Sequence, residues 1–156
     1  MPGKYYDDLQ PGMTLRHSLG RTITEADNVL FCSITLNTQP LHINEDFASK
    51  TQFGQRIVNG LLTMSLVIGI SVSDLTDGTI VANLGYERVN HPQPVFHGDT
   101  IYAETTIVSK RESKSRPECG IVTMTHFGRN QNGEIVVEIT RTALFLKRAS
   151  TDGASL

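Results

Sequence analysis

The chain has 156 residues, and its 14 Lys plus Arg against 16 Asp plus Glu leave a formal net charge of −2. That length suits one compact domain, and a 38% hydrophobic share excludes wholesale disorder. The near-neutral balance excludes the basic footprint that nucleic acid or an anionic membrane surface would demand.

Residues 3–13 form a polar lead-in with a turn at Pro11-Gly12. Over 14–21, Leu15, His17 and Leu19 alternate with polar neighbours, the period of a strand. Thr24 then reads as a helix N-cap, with Glu25 and Asp27 in a first turn whose dipole favours acids. Ala26, Val29, Leu30, Ser33 and Ile34 share one face of that helix. Residues 35–40 are loop, because the position before Pro40 is pushed out of the α region. A short acidic helix follows at 44–48, capped by Asn44, and then loop at 51–56. The longest apolar-periodic run is 57–75. Its apolar positions run nearly all the way round, the pattern of a buried helix. Gly60, Ser65, Gly69, Ser71 and Ser73 would let it lie close to a sheet. The run is too short and too interrupted to cross a bilayer, which takes about 20 residues.

From residue 79 the pattern turns to strands, at 80–86, 100–110, 120–129 and 134–147. Asn132-Gly133 is a hairpin signal between the last two. The tail, 149–156, reads as frayed. The order predicts a single α+β domain over 1–156, an antiparallel sheet wrapped around one long helix. An exposed sheet edge on a small domain predicts a homodimer or higher homo-oligomer by edge pairing. Cys32 and Cys119 build no disulfide framework, and residues 1–8 lack an apolar signal core, so the chain reads as soluble and cytoplasmic. No zinc, P-loop or dinucleotide fingerprint occurs.

The chemistry-bearing stretch is Leu36-Asn37-Thr38-Gln39-Pro40-Leu41-His42, two amides and an imidazole on a loop. About twenty residues later Val58-Asn59-Gly60 opens the long helix, where unpaired backbone N–H groups stabilise a developing oxyanion. An imidazole ordinarily titrates near about 6.5, so the side-chain type at His42 is suited to proton transfer near neutrality.

With Glu45-Asp46-Phe47-Ala48 and Pro94-Val95-Phe96-His97-Gly98-Asp99-Thr100, these segments resemble, in order and over nearly the whole chain, the MaoC-like (R)-specific enoyl-CoA hydratases of the hotdog fold. The resemblance implies that an Asp and a His share one water and add it across an enoyl thioester. Here the Asp position holds Asn37 and the motif Asn is Gln39. A carboxamide is no base but can orient water. The resemblance therefore implies His42 for the proton, Asn37 for the water and the Gly60 N–H for the thioester carbonyl. Gln39, Asn59, Arg56 and His91 are the candidate substrate-binding residues. Of these, Arg56 or His91 would contact a carboxylate on a branched C5 acyl group of the mesaconyl or itaconyl type.

The implied substrate is an acyl-CoA, with coenzyme A as part of the substrate and no metal or redox cofactor. A hotdog thioesterase drawing on Glu45 or Asp46 is one alternative, and a non-catalytic acyl-CoA binder is another. Among the remaining candidates, His17 and His97 read as surface histidines and His126 as structural. Asp74 and Asp77 read as solvated helix ends, Asp99 as a turn cap and Cys32 as a packed thiol.

Overall fold

The computed structural model describes residues 3–149, so most of the expected frayed tail lies outside the described residues. Five antiparallel strands, β1 (Thr14–Thr22), β2 (Ile80–Asn90), β3 (Thr100–Glu112), β4 (Cys119–Arg129) and β5 (Ile135–Leu146), make one sheet in the order β1-β3-β4-β5-β2. The helices α1 (Glu25–Ile34), α2 (Pro40–Ile43), α3 (Glu45–Ala48) and α4 (Gly60–Ser71) come between β1 and β2. This is the α+β arrangement read from the pattern, with Asn132-Gly133 at the β4–β5 turn and Gly133 at φ 80°. No helix among the described residues is long and apolar enough to cross a membrane.

Helix α4 starts later than its apolar run. Ile57 bridges Phe96 in extended geometry, and Val58 N–H donates to Val95 O at 2.8 Å, so residues 57–59 are strand-like. Its inner face, Val67 and Ile70, meets Ile23, Ile101, Val136 and Ile139 in one apolar cluster. A second cluster joins Leu9, Leu75, Ile107, Val122, Met124 and Phe145. The close approach expected from the helix's small residues comes instead from the sheet. A Cβ on Gly128 would stand 2.6 Å from Val67 and 2.7 Å from Val137, whereas Ser65 and Gly69 face outward. Nor is α4 buried all round: Leu61 is 58% exposed and Val72 41%.

Helix α1 also turns the other way. Its cap is as expected, with Asp27 N–H donating to Thr24 Oγ1 at 3.2 Å, but Asn28 and Cys32 face inward while Leu30 and Ile34 are exposed. The polar Asn28 wins the interior because it finds a full set of partners there.

Past Ser71 the helix widens into a π turn, Val72–Thr76, closed by Asp77 N–H donating to Val72 O at 2.9 Å. The turn presents Asp74 to His17 (3.3 Å), so neither residue has the solvated role that the sequence suggests. His17 begins a buried relay: Nε2 to Thr105 Oγ1 at 2.8 Å, Thr105 Oγ1 to His126 Nδ1 at 2.7 Å, and His126 Nε2 to Arg141 Nε at 2.9 Å. Arg141 can only donate, so every proton position follows. His126 accepts at Nε2 and donates from Nδ1, Thr105 donates to His17, and His17 donates from Nδ1 to Asp74.

Candidate active site

The loop after α1 is built by a helix stop without glycine. Asn37 N–H donates to Cys32 O at 2.9 Å and Leu36 N–H to Ser33 O at 3.3 Å, with Leu36 at φ 57°. That is a Schellman closure with leucine in the left-handed position. The Asn37 side chain then accepts from Gln39 N–H at 3.1 Å, an Asx turn that aims the chain into Pro40 and α2. Pro40 at the first helical position suits a helix start, and α2 carries His42 inward.

His42 Nδ1 lies 2.9 Å from Ile57 O. A carbonyl only accepts, so Nδ1 carries the proton and Nε2 presents a lone pair. Asn28, fully buried, sits behind this pair. Its Nδ2 reaches His42 O (3.3 Å), Ile57 O (3.2 Å) and His97 Nε2 (3.0 Å), and its Oδ1 accepts from Asn59 N–H at 2.9 Å. One side chain thus ties together the segments that carry His42, His97 and the start of α4. His97 is therefore not a free surface residue, and burial, its largest influence, lowers its pKa. Sequence reasoning missed Asn28 because one asparagine inside an apolar-periodic helix gives no signal. Asn28→Ala is expected to lose roughly 2–3 kcal/mol in chemical denaturation, because the buried groups it serves are left unpaired.

The first turn of α4 leaves one amide open. Leu61 N–H donates to Asn59 Oδ1 (2.9 Å), and Leu62 and Thr63 N–H donate to Asn59 O (3.0 and 3.2 Å). Gly60 N–H has no partner among the described residues. Gly60 and His42 line the same cavity, about 290 Å³, together with Phe53, Thr63, His91 and Val95. No carboxylate lines it among the described residues. The His91 ring roofs the helix start, 3.0 Å from where a Cβ on Gly60 would stand, and burial lowers its pKa. A larger apolar groove of about 500 Å³ runs between α1 and α4, but its charged pair, Arg21 and Asp27, is self-satisfied at 2.8 Å.

The structure thus brings His42, Gly60 and His91 together. Asn37 and Gln39 shape the loop and do not line the cavity. Asn59 is buried as the cap of α4. Arg56, expected as an alternative to His91 for contact with an acyl carboxylate, does not line the cavity. It is held between Glu25 (2.8 Å) and Glu45 (2.7 Å), pinning α1 to α3 outside the cavity.

Comparison with known proteins places this geometry. Residues 8–130 match the MaoC like domain, and the chain belongs to that family. It is 32% identical over 146 residues to a mesaconyl-CoA hydratase of Cereibacter sphaeroides, covering 94% of this chain and 42% of that protein. It is 34% identical over 104 residues to an (R)-specific enoyl-CoA hydratase of Rhodospirillum rubrum, covering 66% of this chain and 69% of that protein. A solved Mycobacterium tuberculosis protein with a double hotdog fold superposes with a TM-score of 0.82 at 24% identity, over 99% of this chain and 47% of that one. The fold is a hotdog, as the motif order implied. The chain spans less than half the length of the mesaconyl-CoA hydratase it matches.

Proposed function

We propose that the protein is a hydro-lyase that adds water to an enoyl-CoA, or removes it from a 3-hydroxyacyl-CoA. The observation that carries this reading is the shared cavity, lined by both Gly60, whose N–H is unpaired among the described residues, and His42, whose Nδ1 is bound to Ile57 O and whose Nε2 is left for a substrate. A thioester carbonyl on the Gly60 N–H is polarised, which makes C3 electrophilic. Water attacks C3 as its proton passes to His42 Nε2. The enolate oxygen gains charge against the amide, and the imidazolium returns the proton to C2. One histidine taking and returning the proton places both additions on one face of the double bond. The thioester itself acidifies C2, so this route calls for no metal or redox cofactor, and coenzyme A enters as part of the substrate.

The match to a mesaconyl-CoA hydratase and the His91 roof support a branched dicarboxylic acyl group of the mesaconyl type. Arg56, tied to two glutamates, does not join that reading. A cavity without a carboxylate disfavours the thioesterase alternative, since Glu45 is spent on Arg56 and Asp46 on Lys50 (2.7 Å). The outer edge of β2, with Val81, Leu84 and Tyr86 exposed, supports a homodimer by edge pairing. Two free buried cysteines fit a reducing, cytoplasmic setting.

Incubation with crotonyl-CoA and mesaconyl-CoA is expected to remove the enoyl absorbance without releasing thiol, at a higher kcat/KM for mesaconyl-CoA. Thiol release would indicate a thioesterase. Unchanged absorbance with retained binding would indicate a non-catalytic acyl-CoA binder.

A further inference from the structure

Thr63 is 1% exposed, lines the cavity, and its Oγ1 is the one buried side-chain oxygen or nitrogen without a hydrogen-bond partner among the described residues. A helical threonine ordinarily returns its hydroxyl to a carbonyl three or four residues back. Thr63 does not, although Asn59 O and Gly60 O lie at those positions. Leaving a buried hydroxyl unpaired is costly, which favours a ligand that pairs it.

The spacing says which ligand atom. Three residues along a helix advance about 4.5 Å and come round to nearly the same side, which is why Gly60 and Thr63 line one cavity with Thr63 farther along α4. A thioester whose oxygen is held on the Gly60 N–H has Thr63 within the same cavity as a partner for its acyl part. A distal carboxylate is the wrong group for that floor. No Lys or Arg lines the cavity, so a distal carboxylate belongs at the His91 roof and not against the single Thr63 hydroxyl, since a buried anion needs a cation or several donors. A neutral oxygen needs only the one bond that Thr63 offers. Asn37, the residue expected to orient water, spends its side-chain oxygen on the Gln39 N–H and does not line the cavity.

We propose that the Thr63 hydroxyl holds the oxygen that is added to or removed from C3, sharing it with His42 Nε2. During hydration the water donates one hydrogen to Thr63 Oγ1 and the other to His42. Only the second is transferred, so Thr63 ends with the proton it began with, now hydrogen-bonded to the 3-hydroxyl. This assignment rests on the hydratase reading and adds the catalytic contact to the reacting oxygen that Asn37 does not make.

Thr63→Val keeps the shape and the β-branch and removes only the oxygen. It is expected to lower kcat for enoyl-CoA hydration about 10–100-fold with KM within threefold, while Thr63→Ser stays within fivefold of the parent. A binding comparison runs beside it in a His42→Gln background, where turnover is suppressed. There 3-hydroxybutyryl-CoA should bind more tightly than butyryl-CoA, and adding Thr63→Val should erase that preference. An active parent whose Thr63→Val variant retains full kcat, or an unchanged preference for the hydroxylated ligand, overturns the assignment. A parent that hydrates no enoyl-CoA overturns the hydratase reading itself. An equal melting temperature for both variants is the folding control.

Discussion

His42→Ala is expected to slow enoyl-CoA hydration by roughly 10²–10⁴-fold, the range for losing a general acid–base group. The loss should fall on kcat, because the thioester is held through the backbone amide of Gly60. It should also be chemical rather than structural. Ile57 O, which accepts from His42 Nδ1, keeps its second bond from Asn28 Nδ2 at 3.2 Å, so the strand-like approach to α4 stays anchored. Initial rates of enoyl-absorbance loss, beside melting curves of the two proteins, decide the matter. A variant within threefold of the parent would remove His42 from the proton transfer.

The second large effect is on stability. Burial is the largest of the influences that hold the His126 pKa at about 3, and the Arg141 cation adds to it. His17 is lowered too, mainly by burial, with Asp74 acting in the opposite sense. Both groups have folded pKa values below the unfolded value of about 6.5. Their neutral forms therefore stabilise the native state fully above that pH, and the contribution drains away as pH falls through 6.5 toward 3. For His126 alone, the drop from pH 6.5 to 5 is expected to cost about 2 kcal/mol, at 1.36 kcal/mol per unit. Native carboxylates such as Asp8 and Asp27 have lowered pKa values and act at lower pH, so the window above pH 5 reports the histidines. Urea midpoints at pH 7 and pH 5 measure the effect. His126→Gln, even if less stable at pH 7, should show a smaller difference between them. An equal difference in parent and variant would mean that His126 takes up its proton without unfolding.

What the sequence made legible follows from the kind of signal each feature leaves. Strand alternation, the Thr24 cap, Asn132-Gly133 and the segment from Asn37 to His42 are local patterns, and they located the sheet, α1 and the cavity's imidazole. Facing directions were harder. Leu30 and Ile34 are apolar yet exposed, while Asn28 is polar yet buried, because long-range partners decide which face turns in. Arg56 was a plausible free cation in one dimension, and only folding brings Glu25 and Glu45 to it from opposite sides. The buried relay was invisible for the same reason. His17, Thr105, His126 and Arg141 lie on four different strands and meet only across the sheet. Thr63 carried no motif at all, and what singles it out is a bond it does not make.

The wide turn at Val72–Thr76 sets a tolerance to changes in chain length rather than to changes in side chain. It holds one more residue per hydrogen-bonded ring than the helix before it, which lets Asp74 reach β1 while Leu75 drops into the second apolar cluster, with Leu9 and Phe145. Ser73, exposed there, offers a site where many residue types fit. Deleting any single residue of the five would restore ordinary helical phase and swing the acid and the leucine off their targets together. In this stretch, substitutions are forgiven where deletions are not.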